Sequence, residues 1–268
     1  MKVLITGGSG FLGSYLTHKI LRQFPSYTIT ILSRNEYRQA LLRSSLEEYD
    51  RKRVKLVIGN VRNPLDVNYA MRGVDIVIHA AALKRIDSVE ENILTAVQTN
   101  IYGTENLLRA AEMQNVMRFC LISTDKASRP HTAYGASKYM CEQMVRHFNG
   151  SFEIWENAKK EKEDIRVRDP KMTRFFWHID EGTDFICQNV LRLDFYNQSE
   201  LLIPDMKSIN ILDMAKHLYP NKSIHILHST THNEKTHEEL YPGGSSEDFV
   251  VPAAAHPGLQ RWIKENRK

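Results

Sequence analysis

Short apolar runs alternate with longer amphipathic stretches along the first half of the chain. The apolar runs occupy residues 3–6, 28–33, 54–58, 75–80 and 118–123. Stretches of helical length follow them, at residues 12–23, 37–48, 64–72, 104–114 and 134–148. Buried strands that alternate with helices are typical of a parallel sheet with helices on both faces. The pattern therefore predicts an α/β fold with a doubly wound parallel sheet.

Composition and charge narrow the class of protein. The 268 residues are 42% hydrophobic and 25% charged, as in ordinary globular proteins. No apolar run approaches the roughly 20 residues that span a bilayer, so we expect no membrane segment. The 36 basic and 32 acidic residues are scattered, which gives no sign of nucleic-acid binding. Three isolated cysteines and a chain start without room for a signal segment predict a cytoplasmic protein.

A glycine loop lies between the first strand and the first helix. It reads Thr6-Gly7-Gly8-Ser9-Gly10-Phe11-Leu12-Gly13. Glycines allow a tight turn here, and backbone N–H groups can approach a pyrophosphate at the positive end of the helix. A glycine triplet alone also fits an ordinary turn, but its position favours dinucleotide binding. We expect cofactor contacts from Gly7, Ser9, Gly10, Phe11, Leu12 and Gly13.

The end of the second strand indicates which dinucleotide is bound. NAD sites usually carry a carboxylate there, whereas this chain has Ser33 and Arg34, followed by Arg38. A hydroxyl and a guanidinium suit a 2′-phosphate, so the sequence favours NADP; the alternative is that Arg34 is a solvated loop charge. The ends of the third and fourth strands add the expected cofactor contacts Asn60, Val61, Ala80 and Ala82.

Candidate catalytic residues follow the fifth strand. Thr124, Asp125 and Lys126 leave the sheet at its carboxyl end, where ligands of open α/β sheets collect. The next helix carries Tyr134 and Lys138, and a spacing of four puts them on one face. A nearby ammonium group favours the phenolate and lowers the pKa of a tyrosine, and lysine can also hold the nicotinamide ribose. The order of motifs favours a catalytic Tyr-x-x-x-Lys pair over a helix with one core aromatic.

Several further motifs accompany these residues: Ala80-Ala81-Ala82-Leu83-Lys84, Thr99-Asn100, Asp169-Pro170-Lys171-Met172-Thr173-Arg174-Phe175 and Glu234-Lys235-Thr236-His237-Glu238-Glu239. Together the motifs resemble the extended short-chain dehydrogenase/reductases. Specifically, they resemble the UDP-N-acetylglucosamine 4,6-dehydratases of the PseB and CapE type, which are CapD-like polysaccharide biosynthesis proteins. The resemblance covers residues 1 to about 241.

The resemblance implies an NADP-dependent lyase with no net redox change. Tyr134 would take the proton of the sugar 4-hydroxyl while hydride leaves C4, with Thr124 bonded to the reacting oxygen. Lys126 would then remove the C5 proton, and Asp125 would assist loss of the 6-hydroxyl as water. Hydride returns to C6 and gives a 4-keto-6-deoxy sugar nucleotide. We expect burial and the cation of Lys138 to lower the pKa of Lys126.

The resemblance also implies stereochemistry and binding contacts. A tyrosine at position 134 is that of the C5-inverting branch, since the retaining branch commonly has methionine there. Thr99 and Lys84 fall where the family contacts cofactor, and the residues that fall where it contacts substrate are Lys84, Arg174 and Glu234. No histidine or cysteine cluster has the spacing of a zinc motif, so we expect no metal.

Three places differ from the pattern of the family. After residue 148 the chain lacks the usual sixth strand with its substrate-binding asparagine, and residues 152–155 or 165–168 are the segments that could pair instead. Thr231-His232-Asn233 replaces an Arg-Pro-Gly, and Asn60 replaces an aspartate. We therefore expect an NADP-binding Rossmann domain at 1–150, a truncated substrate lobe at 151–242, and a tail of unknown role at 243–268.

Other functions stay open beside a 4,6-dehydratase that serves surface polysaccharide biosynthesis. One is an NADP-binding relic or regulatory scaffold that has lost the sugar site. Another is a different sugar-nucleotide epimerase or reductase. The expected partners are a UDP-sugar and further copies of the chain, with helices 104–114 and 138–148 pairing in a homo-oligomer.

Overall fold

The computed structural model describes residues 1–147, 151–155, 165–167, 169–191, 200–218, 220, 224–226, 236–241 and 244–266. Its strands are β1 (Lys2–Thr6), β2 (Thr28–Ser33), β3 (Val54–Ile58), β4 (Ile76–His79), β5 (Arg118–Ser123), β6 (Ser151–Trp155), β7 (Ile165–Val167), β8 (Thr173–Phe175), β9 (Glu200–Leu201), β10 (Ser208–Asn210), β11 (Ile224–Ile226), β12 (Glu239–Tyr241) and β13 (Gly244–Ser245). Its helices are α1 (Phe11–Gln23), α2 (Glu36–Ser45), α3 (Glu48–Arg51), α4 (Pro64–Met71), α5 (Ile86–Glu91), α6 (Ile93–Ala96), α7 (Gly103–Met113), α8 (Ala133–His147), α9 (Ile179–Ile186), α10 (Ile211–Leu218) and α11 (Pro257–Asn266).

Seven strands form one parallel sheet in the order β3-β2-β1-β4-β5-β6-β9. Successive strands are added toward one edge from β1 to β3 and toward the other edge from β4 onward, so the switch point where doubly wound sheets bind ligands lies between β1 and β4. The five predicted strands are all present, and the doubly wound fold is confirmed. The helix predicted over 37–48 ends at Ser45, because Leu46 has extended backbone and is buried.

Two apolar clusters cover the two faces of the sheet. One contains Leu16 and Ile20 of α1 and, from after residue 150, Val190. The other contains Val67 of α4 and Leu107 of α7. Parallel strands need cover on both faces, and each such buried side chain stabilises the fold by about 1.5–3 kcal/mol.

The sixth strand position is filled by β6. It pairs in parallel with β5, with Phe119 opposite Ser151 and Ser123 opposite Trp155. The other candidate segment forms β7 and pairs with β11 in a separate two-stranded sheet. The main sheet therefore draws strands from both sides of residue 150, and the segment limits 1–150, 151–242 and 243–268 stay a prediction.

The segment predicted as a tail packs against the strands that precede it. β13 pairs with β12, and Val250 forms a bridge to Ser208 of β10. Leu259 of α11 joins a small apolar cluster with Ile209. This packing fixes the position of residues 236–241, which carry part of the site described next.

Candidate active site

The glycine loop is shaped by close approach of backbone to backbone. Gly7 has φ +69°, and a Cβ there would lie 3.0 Å from the carbonyl of Ala80. A Cβ on Gly13 would overlap the Cα of Gly8. Gly10 precedes α1, and no side chain caps this helix. The first-turn N–H groups of α1 and the small loop therefore fit a dinucleotide pyrophosphate.

The end of β2 lies against the glycine loop. Ser9 Oγ donates to Ser33 Oγ over 2.8 Å, and Gln39 Nε2 donates to the same oxygen over 2.9 Å. Arg34 and Arg38 are exposed. The predicted 2′-phosphate residues thus comprise one serine held beside the loop and two arginines open to solvent.

The turn after β3 contains a basic residue that the sequence analysis passed over. Asn60 Oδ1 accepts from the backbone N–H of Arg62 over 3.1 Å, and Val61 is buried. Arg62 Nε donates to Thr99 Oγ1 over 2.7 Å. Burial and the charge of Arg34 lower the pKa of Arg62.

Asn100 fixes the loop that follows β4. Its Oδ1 accepts from the Leu83 N–H over 2.8 Å, and its Nδ2 donates to the Leu83 carbonyl over 3.0 Å. Its Nδ2 also donates to Ser137 Oγ of α8 over 2.9 Å. Ala80 and Ala82 are half-buried in this loop, whereas Lys84 is exposed.

His79 forms a buried network under the same loop. Thr6 Oγ1 and Thr104 Oγ1 lie 2.7 and 3.0 Å from its two ring nitrogens. Thr104 Oγ1 donates onward to the Asn100 carbonyl over 2.6 Å, so it accepts from His79 Nε2. Burial, and then the charge of Lys138, lower the pKa of His79 to about 3. The ring is therefore neutral.

The predicted Tyr134 and Lys138 lie on α8 and are buried. Gly135 touches the turn after β5, since a Cβ there would overlap the carbonyl oxygen of Lys126. This contact brings the start of α8 against the turn that carries the other predicted catalytic groups. Ser123 Oγ also donates to Glu142, one helical turn beyond Lys138.

Four ionisable side chains meet where β5 ends, and we call Asp125, Lys126, Arg174 and Glu238 the charge cluster. Lys126 Nζ lies 3.3 Å from Asp125 Oδ1 and 3.1 Å from Glu238 Oε1. Arg174 Nε lies 3.3 Å from the same Glu238 oxygen. The Asp125 and Glu238 side chains are 3% and 6% exposed, whereas that of Lys126 is 33% exposed. The cluster thus joins two buried acids to an accessible amine.

The pKa values in the charge cluster move in linked directions. Burial and the Asp125 carboxylate raise the pKa of Glu238 to about 8. Burial acts the same way on Asp125, but hydrogen bonds from Glu238 and Thr124 and the charge of Lys126 lower its pKa overall. Burial favours neutral Lys126, yet the charge of Asp125, joined by that of Glu238 once Glu238 ionises above about pH 8, raises the pKa of Lys126. The expected lowering at Lys126 is wrong, because the sequence did not show that a second carboxyl lies beside it.

The structure brings most predicted catalytic groups to one edge of the sheet. Thr124 is buried and donates to Asp125 Oδ1 over 2.8 Å. Arg174 joins the charge cluster from β8, but Glu234 and residues 231–233 lie outside the described residues. Glu238 was not predicted from the sequence as a site residue, although it lies in the run 234–239 that carries part of the resemblance.

The described residues contain no group of three His, Cys, Asp or Glu side chains that could hold a metal ion. Within the same part of the chain, no helix combines the length and the apolar character needed to cross a membrane.

Comparison with known proteins agrees with the fold and the motifs. A family model described as "Polysaccharide biosynthesis protein" matches residues 3–154 and 148–252. A UDP-N-acetylglucosamine 4,6-dehydratase (inverting) of Campylobacter jejuni is 32% identical over 98% of this chain and 85% of its own length. That alignment spans 295 residues, more than the 268 of this chain, so the relative carries residues with no counterpart here. The two matched segments overlap at 148–154, where the sequence indicates a shortened connection.

Two further comparisons are informative. A UDP-glucose 4-epimerase of Rickettsia bellii is 31% identical over 92% of this chain and 79% of its own length. The crystal structure of a dTDP-glucose 4,6-dehydratase from Streptomyces venezuelae with NAD bound has a TM-score of 0.72, with 20% identity over 100% of this chain and 98% of that one. At this identity the likeness shows the fold alone. The chain therefore belongs to the polysaccharide biosynthesis protein family and has the fold of the extended short-chain dehydrogenase/reductases.

Proposed function

We propose that this protein is an NADP-dependent UDP-N-acetylglucosamine 4,6-dehydratase that inverts C5 and serves polysaccharide biosynthesis. The observation that carries the proposal is the contact of Asp125 and Lys126 at the carboxyl end of β5, directly against the start of α8 with Tyr134. The Campylobacter relative has this activity in its name.

The acid–amine pair favours a dehydratase over an epimerase. Inversion at C4 needs a group that moves the 4-hydroxyl proton and a hydride carrier. Loss of water across C5 and C6 needs in addition a base for the C5 proton and an acid for the 6-hydroxyl. Lys126 and Asp125 are of the right chemical types for these two roles, and their atoms lie 3.3 Å apart.

In the proposed reaction, Tyr134 takes the 4-hydroxyl proton, and Thr124 holds the 4-oxygen by its hydroxyl. The bound dinucleotide would supply the hydride acceptor and donor. Lys126 removes the C5 proton, which the 4-ketone has made acidic, and Asp125 protonates the leaving 6-oxygen. Lys126 is cationic in the free site, so it must lose a proton before it acts.

The cofactor part of the proposal is NADP. The glycine loop would bind the pyrophosphate, and Ser33, Arg34 and Arg38 would bind the 2′-phosphate, because guanidinium groups pair well with phosphate. Lys138 would hold the nicotinamide ribose. The remaining predicted cofactor contacts lie in the turn after β3, in the loop after β4 and, for Thr99, in the helical segment 97–102.

The scaffold alternative loses one of its supports. It rested on a missing sixth strand, but β6 pairs along β5 over five residues. The sequence still has no counterpart of the substrate-binding asparagine of the family. Binding and turnover of the sugar nucleotide therefore distinguish the dehydratase from the scaffold.

The proposal also includes a cytoplasmic homo-oligomer. Met113 at the end of α7, and Tyr139 and Met140 of α8, are exposed apolar side chains. The proposed pairing of these two helices between copies would bury them.

Proton NMR of the sugar nucleotide tests the proposed activity. Protein incubated with NADP and UDP-N-acetylglucosamine in D₂O is expected to give a new C6 methyl signal. Lys126→Ala and Tyr134→Phe are expected to abolish it while still binding NADP. Lys171→Ala, which removes an exposed lysine outside the charge cluster, is the control and keeps full turnover.

No methyl signal from the wild-type protein with NADP binding intact would reject the dehydratase and favour the scaffold. A product epimerised at C4 without a methyl group would favour the epimerase.

A further inference from the structure

Glu238 is the residue that precedes β12, and hydrogen bonds hold its backbone in place. Its backbone N–H donates to Ser246 Oγ over 2.8 Å, and its carbonyl accepts from the Ser246 N–H over 2.7 Å. Ser246 is fully buried, and its hydroxyl lies 2.6 Å from Thr173 Oγ1. The carboxyl group therefore reaches the charge cluster from a fixed backbone, and only its side-chain torsions are free to vary.

The two oxygens of Glu238 have different surroundings. Oε1 lies 3.1 Å from Lys126 Nζ and 3.3 Å from Arg174 Nε. Oε2 is buried and accepts no hydrogen bond from the described residues. The charged groups that face this carboxyl are Asp125 and Lys126 from the turn after β5 and Arg174 from β8. Oε1 thus contacts both cations, and Oε2 has no hydrogen-bond donor among the described residues.

A buried carboxylate oxygen without a donor is costly, whereas a protonated one becomes a donor itself. The neighbouring acceptor is the carboxyl of Asp125, which contacts the same Lys126 Nζ as Glu238 does. Two carboxyl groups in one buried site do not both ionise readily, because their like charges repel each other. The raised pKa of Glu238 and the lowered pKa of Asp125 agree with a proton that resides on Glu238.

We propose that Glu238 is a positioning residue that keeps a proton on its own carboxyl, so that the proton of Lys126 can pass to Asp125. This inference rests on the proposed dehydratase function. An ionised Glu238 would be a second negative charge on Lys126 and would hold its proton in place. A protonated Glu238 leaves Asp125 as the only carboxylate in contact with the amine.

The proton transfers of the elimination step balance without any other reactant. The resting site holds Asp125 as carboxylate, Lys126 as ammonium and Glu238 as acid. A proton moves from Lys126 Nζ to Asp125, which creates the amine and the acid that elimination needs. The C5–H bond then breaks with its proton going to Lys126, its electron pair forms the C5–C6 double bond, and the C6–O bond breaks. The oxygen leaves as water with the proton of Asp125, which restores the resting site, and Glu238 keeps its proton throughout.

The pH dependence of turnover in Glu238→Gln tests this role. Glutamine has the same shape, can donate to Asp125 and cannot ionise. With a pKa of about 8, only about a tenth of Glu238 is protonated near pH 9. Wild-type kcat is therefore expected to fall about tenfold between about pH 7 and about pH 9. Glu238→Gln is expected to stay within about threefold of wild type at pH 7 and to lose most of this fall.

Glu239→Gln is the matched control for this experiment. Glu239 is the next residue and pairs with Arg129 over 3.0 Å, outside the charge cluster. It should leave the alkaline fall of kcat unchanged. An alkaline fall that is the same in Glu238→Gln as in wild type would overturn the proposal. So would a loss of more than about a hundredfold at pH 7 in a folded Glu238→Gln protein, since the neutral side chain should suffice.

A titration of the free protein separates this inference from the proposed function. In protein labelled with carbon-13 at the glutamate carboxyls, one signal should titrate near pH 8 and be absent from Glu238→Gln. Glu238→Asp, which removes the labelled signal but keeps a carboxyl, assigns it if the glutamine variant does not fold. If the signal is found and no sugar is turned over, the dehydratase proposal fails and the protonated carboxyl stands. If Glu238 titrates in the ordinary range of about 4–5, the inference is wrong whatever the turnover.

Discussion

Around the glycine loop the chain holds its geometry with backbone contacts and uncharged buried groups, whereas around Lys126 it gathers four ionisable side chains. Gly7 and Gly13 allow backbone segments to touch, and neutral His79 ties β4 to α7. The charge cluster instead draws Arg174 and Glu238 from segments far along the chain. In the proposed function, the first region receives an anionic cofactor with little rearrangement, and the second moves protons.

This contrast explains where each region is vulnerable. A backbone cradle fails when a side chain is added, because backbone atoms must shift by about 1 Å to make room. A charge cluster fails when one charge is changed, because the remaining groups then change their protonation.

The largest effect is expected from Gly13→Ala. The new Cβ would overlap the Cα of Gly8 and meet the carbonyl of Gly7, both parts of the loop backbone. A forced shift of about 1 Å would move the loop N–H groups off the pyrophosphate, so we expect NADP affinity to fall more than about a hundredfold. Isothermal titration calorimetry measures this loss.

Gly182→Ala is the control for that substitution. Gly182 also lies in a helix, but a Cβ there would make ordinary contact with Trp177 at 3.6 Å. We expect unchanged NADP affinity and equal or greater stability, since alanine has the higher helix propensity. Equal NADP binding by Gly13→Ala and Gly182→Ala would refute the backbone cradle.

An intermediate effect is expected for the pH dependence of stability, through His79. Burial lowers its pKa from 6.5 to about 3, so below pH 6.5 the unfolded chain takes up a proton that the folded chain does not. The free energy of unfolding should therefore fall as pH drops toward 3, by about 1.4 kcal/mol per pH unit. His79→Gln is expected to lack this part of the slope.

Urea unfolding of both proteins between about pH 7 and about pH 4 measures the two slopes, and the other titrating groups cancel in their difference. If the free energy of unfolding changed with pH equally in the two proteins, His79 would be protonated in the folded protein over this pH range, and its pKa would not be lowered.

The smallest effect is expected from Arg34→Ala. Arg34 is exposed, so its bond to a 2′-phosphate would be charge-assisted but solvated. Its loss should weaken NADP binding about tenfold and leave NAD binding unchanged. Arg43→Ala removes an exposed arginine of the same helix region and should change neither affinity. Equal weakening of NAD and NADP by Arg34→Ala would mean that Arg34 does not read the 2′-phosphate.

The two regions also differ in how far the sequence predicted them. The strands, the helices and the glycine loop each have a local sequence pattern, so the sequence indicated them even though the strands pair with distant segments. Glu238 is 112 residues from Lys126, and only the fold brings the two side chains together. The sequence therefore predicted Asp125 and Lys126 as a pair but gave the wrong direction for the pKa of Lys126. Arg62 was missed for a related reason, because its partner Thr99 comes from another segment.

The most direct test of the proposed reaction follows one hydrogen. UDP-N-acetylglucosamine carrying deuterium at C4 would be incubated with the protein and NADP, and the position of the label read by deuterium NMR. A 4,6-dehydratase carries the label from C4 to the new C6 methyl group, and this is the result we predict. Label that returns to C4 of an epimerised sugar would contradict the dehydratase and identify an epimerase.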